Sequence, residues 1–344
     1  MIVSLFLAIL LVASLTGNLR HFAQSMVGRT NTSRHFRHNL DKVTIEYNRS
    51  RNNIAVVDIN GIITDEVVGR SGESMVSLIS EQLRLAGEDP SVKAVILKVD
   101  SPGGEVLASD DIAREISEFQ SDYDKPVVAS MGGVAASGGY YVSAPCRWIV
   151  ANELTITGSI GVIMHSYNYR GLMDKVGVQP NVFKSGKFKD MLSGEKPMDE
   201  ILPEERQMVQ ELIDETYARF KKVVADGRNA DAHKSAKGKN GTPARTLVEN
   251  WVDYADGRVL SGKHALELGL VDELGNFDTA VETAETLAGI NDSNLIEYEQ
   301  PFDLGNLLRL FGQTESRALK IDLGFQLPKL QMGRLYFLSP TVVH

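Results

Sequence analysis

The stretch VAASGGYY, Val134 to Tyr141, sets one hydroxyl, Ser137, among Ala135, Ala136, Gly138 and Gly139. Small residues admit the close approach of another backbone or of a substrate. A serine in that setting is either packing filler or a nucleophile, and a nucleophile needs a neighbour to take its proton. If Ser137 opens a helix, its oxygen meets the positive end of the helix dipole, which favours a developing anion. Gly138 then lets the chain turn sharply and admits a substrate carbonyl. Upstream, VDSPGGEV (Val99 to Val106) comes after a dense apolar run. Pro102, Gly103 and Gly104 predict a tight turn whose N–H groups lack ladder partners, and such donors bind oxyanions. The plainer reading of SPGG is an ordinary strand-to-helix turn.

No histidine lies inside the serine stretch, so the base must come from elsewhere. His165, in GVIMHSYN, is 28 residues on, and KSGKFKD offers Lys184, Lys187 and Lys189. A lysine serves as base only if its surroundings bring its pKa from about 10.4 to near 7, a cost of roughly 4–5 kcal/mol. Nothing in the local composition singles out one of the three lysines, and a lysine-rich loop is ordinarily a solvated one. Asp190 is the acid beside Lys189. A carboxylate held against a lysine amine favours its charged form and spoils the base.

The elements that must position these groups alternate. NIAVVDINGII predicts a strand running into a turn at Gly61, SMVSLISEQLRLAGED a helix, and VKAVILKVD a buried strand. ASDDIAREISEFQ reads as an amphipathic helix with Ser109 as a cap, and KPVVASM, RWIVAN and SIGVIMHS as strands. Strands separated by helices from Asn53 to about Ser185 predict an α/β domain with parallel strands. From Pro203 to near Gly227 one long helix is expected, opened by proline and glutamates. Residues 229–250 read as a polar excursion, and two short helices flank a turn at Gly275. Beyond residue 300 the chain reads as an irregular tail.

Of the 344 residues, 43% are hydrophobic and 24% charged, which describes a globular protein. The net charge of −9 is uneven: the first fifty residues carry +4 and the remainder −13. An acidic body argues against nucleic acid as the main partner. The single cysteine, Cys146, excludes an internal disulfide and reads as a small buried thiol. No histidine pair has the i, i+4 spacing of a helical zinc site, so no metal site is expected. Ile2 to Thr16 is an uncharged run of 15 residues. It is read as a membrane anchor extended by Gly17 to Leu19, with a cleaved signal or a buried helix as the alternatives.

In order, SPGG, AASGGYY, TGSIGVIM and KSGKFKDM resemble the signal peptide peptidase A family of serine peptidases in its short form, over roughly residues 53–275. The resemblance implies a crotonase-like or Clp-protease-like α/β spiral after an N-terminal membrane helix. It also implies a Ser–Lys dyad, with Ser137 as nucleophile and Lys189, the lysine of FKD, as general base. Ser159, in TGSIG, would orient the lysine, while Gly103, Gly104 and Gly138 would supply oxyanion and substrate-binding N–H groups. No cofactor is implied. The expected partners are unfolded peptides or remnant signal peptides, the membrane, and further copies of the chain. The expected layout is an anchor or signal (1–19), a basic linker (20–50), a peptidase domain (51–294) and a C-terminal tail (295–344). The resemblance places the body outside the cytoplasm, whereas Arg20, Arg29 and Arg34 after the apolar run argue the reverse. Three rival readings share the fold: a Ser–His–Asp peptidase of Clp type with His165 as base, an acyl-CoA enzyme, and a catalytically inert membrane scaffold.

Overall fold

A computed structural model of the chain describes residues 40–67, 74–300 and 335–339. The segment read as anchor or signal, and most of the basic linker, lie outside the described residues. Among the described residues no helix is long and apolar enough to cross a membrane.

Strand β1 (Asp41–Glu46) precedes β2 (Asn53–Asn60), helix α1 (Met75–Glu88) and β3 (Val92–Ser101). A short β4 (Gly103–Glu105) leads into α2 (Val106–Tyr123), followed by β5 (Val127–Ala136), α3 (Gly138–Ser143), β6 (Trp148–Ala151) and β7 (Ile156–Gly158). Then come α4 (Arg170–Lys175), the long α5 (Pro203–Asn229), α6 (Asp231–Lys234), β8 (Val259–Ser261) and α7 (Gly262–Glu267). The last elements are β9 (Glu273–Leu274), α8 (Phe277–Ala288), β10 (Asn294–Glu299) and β11 (Tyr336–Leu338).

Among the described residues, nine strands make one sheet in the order β1-β10-β2-β3-β5-β6-β9, with β7 joined to β5 and β8 to β7. Pairings are parallel except β1 with β10 and β7 with β8. This is the α/β class with a mostly parallel sheet that the alternating pattern predicts. The central strands are apolar on both faces because both faces are covered. Val95, Leu97 and Val99 of β3 join one core with Ile79 and Leu83 of α1 and Ile112 and Ile116 of α2. Their alternates Ala94 and Ile96 join a second core with Ala280 and Ala284 of α8. The period of two thus splits one strand between two helical layers.

Several local expectations change. The basic linker gives way at residue 41 to β1, an edge strand exposed along its whole length, whose apolar alternation is confined to Val43 and Ile45. The domain boundary at 294 falls on β10, which inserts between β1 and β2 and carries the sheet to Glu299. SIGVIMHS is not a strand: β7 ends at Gly158, and Ile163 alone keeps a bridge. Ser109 is no cap, since α2 starts at Val106 and the Ser109 hydroxyl donates to the Glu105 carbonyl one turn back, at 2.9 Å. The strand KPVVASM runs on to Ala136 through a bulge. Val99 faces Met131 but Ser101 faces Ala135, so Gly132 and Gly133 swell out and the Val134 N–H donates to the Asp100 carboxylate at 3.0 Å. Such a bulge bends a strand and re-aims the residues beyond it, and the residue beyond the end of β5 is Ser137.

Candidate active site

Ser137 sits between the end of β5 and the start of α3, with φ 55° and ψ −115°. A left-handed conformation at a residue other than glycine costs about 1–3 kcal/mol and persists only where the surroundings enforce it. Here they do. The Ser137 N–H donates to the Gly158 carbonyl at 2.8 Å, and the Ser137 carbonyl accepts from the Tyr141 N–H, also at 2.8 Å. Ser137 stands at the helix N-cap position, yet its hydroxyl does not cap the helix, as a serine there ordinarily does. The Oγ is buried and has no hydrogen-bond partner. A strand–serine–helix elbow with a free hydroxyl is the arrangement that presents a nucleophile.

The SPGG turn packs directly on this elbow. Ser101, fully buried, accepts the Gly103 N–H at 3.1 Å and fixes the turn. A Cβ on Gly138 would lie 2.7 Å from the Ser109 Oγ, 3.0 Å from the Gly103 Cα and 3.1 Å from the Gly104 nitrogen. Only glycine permits that approach, and it brings the Gly104 backbone nitrogen alongside Gly138, the residue after the serine. Gly104 is locked from its other side by a parallel bridge to Ile63, with Ile63 N–H to Gly103 C=O at 3.0 Å and Glu105 N–H to Ile63 C=O at 2.8 Å. Two backbone donors beside a free hydroxyl are the parts of an oxyanion hole.

Ser159 joins the same cluster through the backbone. It comes directly after Gly158, the acceptor of the Ser137 N–H; it is buried, has φ 51°, and donates its own N–H to the Arg258 carbonyl at 2.8 Å. The structure therefore gathers Ser137, Gly103, Gly104, Gly138 and Ser159.

Lys189 is placed differently. It is exposed, within an excursion over residues 164–202 whose regular structure is α4 and a single 3₁₀ turn, Met198–Glu200. Because the Ser137 Oγ has no partner, the lysine is not hydrogen-bonded to it in this conformation. The carboxylate next door does not hold the Lys189 amine. Asp190 pairs instead with Lys184 at 2.6 Å and Lys196 at 3.8 Å, and Lys196 reaches Glu205 of α5 at 2.5 Å. The Lys184 hydrogen bond holds the Asp190 carboxyl below its ordinary range, and the Glu205 hydrogen bond raises the Lys196 ammonium above its own. The hazard that Asp190 posed in the sequence is thereby removed. His165, the rival base, has its Nε2 buried with no hydrogen-bond partner, two residues after the Ile163 bridge. Cys146 is fully buried, as expected, and burial pushes its thiol up.

Sequence reading missed the packing of α3. Its Tyr141 and Phe220 of α5, both fully buried in the core, meet edge-on at 4.8 Å, with the Tyr141 hydroxyl bonded to Asp110. Asp110 also accepts from Arg219 at 3.0 Å. Tyr141 lies within the serine stretch itself, but Phe220 is distant in sequence and no local pattern couples them.

Comparison with known proteins bears on this geometry. The profile of Peptidase family S49 matches residues 120–291. The chain is similar to "Putative protease slr0021" of Synechocystis sp., 38% identical over 261 residues, which is 75% of this chain and 86% of that protein. It is also similar to the "Putative signal peptide peptidase SppA" of Enterococcus faecium, 36% identical over 260 residues, covering 74% of this chain and 70% of that one. Among solved structures it resembles a lysine-to-alanine mutant of the "1510-N membrane-bound stomatin-specific protease", solved in complex with a substrate peptide. There the TM-score is 0.43 and the identity 16%, over 76% of this chain and 97% of that one.

Proposed function

The chain belongs to peptidase family S49 and is a serine peptidase, and from that premise we propose that it cleaves unfolded peptides with Ser137 as nucleophile and Lys189 as base. The observation that carries the reading is the elbow: a strained, buried serine whose hydroxyl is unpartnered beside two backbone nitrogens, those of Gly104 and Gly138. Membership in the family sets aside the acyl-CoA and inert-scaffold readings.

In the proposed reaction the Ser137 Oγ attacks the substrate carbonyl carbon while the Gly104 and Gly138 N–H groups hold the oxyanion. Lys189 takes the serine proton, passes it to the leaving amine, and then activates the water that releases the acyl group. Ser159, one residue beyond the acceptor of the Ser137 N–H, orients the lysine amine. Lys189 reaches the site when the excursion folds against a surface it does not meet in the single chain. Support comes from its apolar side chains, with Phe183 89% exposed, Tyr167 70%, Val176 64% and Leu172 63%. Exposed apolar groups in such number mark an interaction surface, and further copies of this chain are its proposed partners. Ser137 and Lys189 would then meet only in an oligomer.

The substrates we propose are short unfolded peptides, including remnant signal peptides. The name of the Enterococcus faecium relative and the uncharged run from Ile2 to Thr16 both support this. The same run is the proposed tether, with the body outside the cytoplasm. A C-terminal reporter active only outside the cytoplasm, fused to the Ser137→Ala chain, gives signal if so; silence with normal expression reverses the topology.

Hydrolysis of an unstructured fluorogenic peptide by Lys189→Ala and His165→Ala chains tests the base. The expected result is loss in the lysine variant and near-normal activity in the histidine variant. A second reading, a histidine-based peptidase, is favoured by the buried, unpartnered Nε2 of His165, and the reverse pattern of losses would establish it.

A further inference from the structure

Strand β5 changes partners along its length. Val128 to Met131 pair with β6, while Val134 to Ala136 pair with β7. The change falls at the bulge, where the single residue Asp100 of β3 stands against Gly132, Gly133 and Val134 of β5. Two residues are thus inserted, about 7 Å of strand. An even insertion keeps every side chain on its own face, whereas a single extra residue would turn over all that follow. What the insertion changes is register. Without it Ser101 would face Gly133; with it Ser101 faces Ala135 and Ala136 faces Gly158. The Ser137 N–H then meets the Gly158 carbonyl at 2.8 Å. The nucleophile is thereby set between the turn that carries Gly104 and the strand that leads to Ser159.

Side chains hold the inserted backbone. The Asp100 carboxylate accepts the Val134 N–H at 3.0 Å. The Thr155 hydroxyl donates to the Gly132 carbonyl at 2.8 Å while accepting the Asn152 N–H at 3.1 Å, which fixes the direction of its proton. The Thr157 hydroxyl donates to the Ala135 carbonyl at 2.7 Å. Both threonines are buried. Gly132 leaves room for the carboxylate, since a Cβ there would lie 3.1 Å from the Asp100 Cγ. Backbone that leaves a regular ladder keeps one conformation only if other groups take its hydrogen bonds. Asp100 and Gly133 are both exposed, so the Asp100 bond adds nothing to the core. It acts at the point where β5 departs from β3.

We propose that Asp100 is a positioning residue for Ser137, acting through the bulge, with Thr155 and Thr157 completing the clamp. The proposal rests on the reading of Ser137 and its neighbouring amides as the active site. Asp100 acts through Val134, Ala135 and Ala136. While its carboxylate holds the Val134 N–H, the Ser137 Oγ stands in line with the Gly104 and Gly138 donors. Once that hold is lost the bulge takes other conformations, and the serine is in line for a smaller fraction of the time. Misplacing a reacting group by about 1 Å costs about 10²-fold, so the effect falls on kcat and not on KM. The clamp needs an acceptor oxygen and not a charge, so asparagine can replace the aspartate.

The test compares full-length wild type with Asp100→Ala, Asp100→Asn, Thr155→Val, Thr155→Ser and Ser137→Ala. Hydrolysis of an unstructured fluorogenic peptide gives kcat and KM, calorimetry gives the folded fraction, and amide exchange over residues 132–136 reports the bulge. Asp100→Ala should lower kcat per folded chain about 10- to 100-fold, with KM within about twofold of wild type. Its exchange over residues 132–136 should be faster. Asp100→Asn, which keeps the acceptor oxygen, should restore both the rate and the slow exchange. Thr155→Val should lower kcat in the same way, and Thr155→Ser should not. The proposal is overturned if Asp100→Asn is as slow as Asp100→Ala, or if exchange is the same in wild type and Asp100→Ala. It is also overturned if the loss lies in KM, or vanishes when rates are counted per folded chain. Undiminished peptide hydrolysis by Ser137→Ala would instead bring down the reading of the site, while the exchange comparison still reports whether Asp100 holds the bulge.

Discussion

At the elbow, Ser101, Ser137, Ala135 and Ala136 are fully buried and the backbone is tied to β3 on one side and β7 on the other. On the excursion over residues 164–202, Phe183 is 89% exposed and the hold on α5 comes from Lys187 with Glu204 and Lys196 with Glu205. The contrast matches what each region must do. An oxyanion hole works only if its donors are fixed before charge develops, so it is built from glycine backbone and a sheet edge that cannot rearrange cheaply. A base that must first meet the serine gains nothing from being buried far from it. In the proposed mechanism it travels on a segment whose final packing is completed by assembly.

The largest expected effects test whether the two regions form one site. Ser137→Ala and Lys189→Ala should each lower kcat by about 10³-fold or more, and combining them should add little, because residues acting as a unit are not additive. Neither should lower Tm appreciably: the serine hydroxyl makes no bond to lose and the lysine is exposed. Additive losses in the double variant would break the comparison, since the lysine would then act independently of the serine.

Next in size is Gly104→Ala. Its Cβ would fall on the Ile63 carbonyl oxygen, displacing the strand that carries a proposed oxyanion donor. A kcat loss of about 10²–10³-fold is expected, accompanied by a lower Tm, unlike Lys189→Ala. Calorimetry beside kinetics separates the two regions by that signature. An alanine at 104 that leaves both quantities unchanged would show the turn to be an ordinary connection.

A smaller effect is expected from Phe183→Asp, which puts a charge on the most exposed aromatic side chain of the excursion. Sedimentation at micromolar concentration should show a smaller assembly than wild type, with activity falling in parallel and recovering as protein concentration rises. A wild-type chain that is monomeric and fully active would remove the need for assembly.

How much of this was legible in the sequence divides along the same line. The proposed roles of Ser137, Gly104 and Gly138 were suggested by local chain geometry, a serine among small residues after a strand and a Pro-Gly-Gly turn, whereas Gly103 gives its N–H to Ser101. The α/β class was legible in apolar runs such as Val95, Leu97 and Val99, which need no partner to be recognised. The bulge at Gly132 and Gly133 was hidden, since it exists only as a mismatch of register between β3 and β5. β10 and β11 were hidden for a related reason. NLIEYE and YFL are short, and each becomes a strand by pairing with an element more than two hundred residues away in sequence. The place of Lys189 was the least legible of all, because three lysines share one loop and only tertiary structure distinguishes them. There, Lys184 is spent on Asp190 and Lys187 on Glu204, leaving Lys189 without an ion pair among the described residues.

The gentlest way to separate the regions is pH. Asp190 is held below its ordinary range chiefly by the Lys184 hydrogen bond, so its contribution is fully present above about pH 4 and is lost as pH falls through its depressed folded value. Lys196 is raised chiefly by Glu205, so its contribution is present below its ordinary range and is lost only as pH rises through the elevated folded value. Between those limits Lys196 holds the excursion to α5 while Asp190, through Lys184 and Lys196, holds it to itself, and acid removes the internal hold first. Because acid removes chiefly the partly exposed Asp190–Lys184 pair, its loss should barely move Tm. Limited proteolysis should nevertheless nick residues 164–202 below about pH 4 while the sheet and the Ser137 elbow remain protected. Asp190→Asn should produce the same nicking at neutral pH. If acid opened the elbow and the excursion together, the two would be one cooperative unit, and the base would have to be placed by the fold itself and not by assembly.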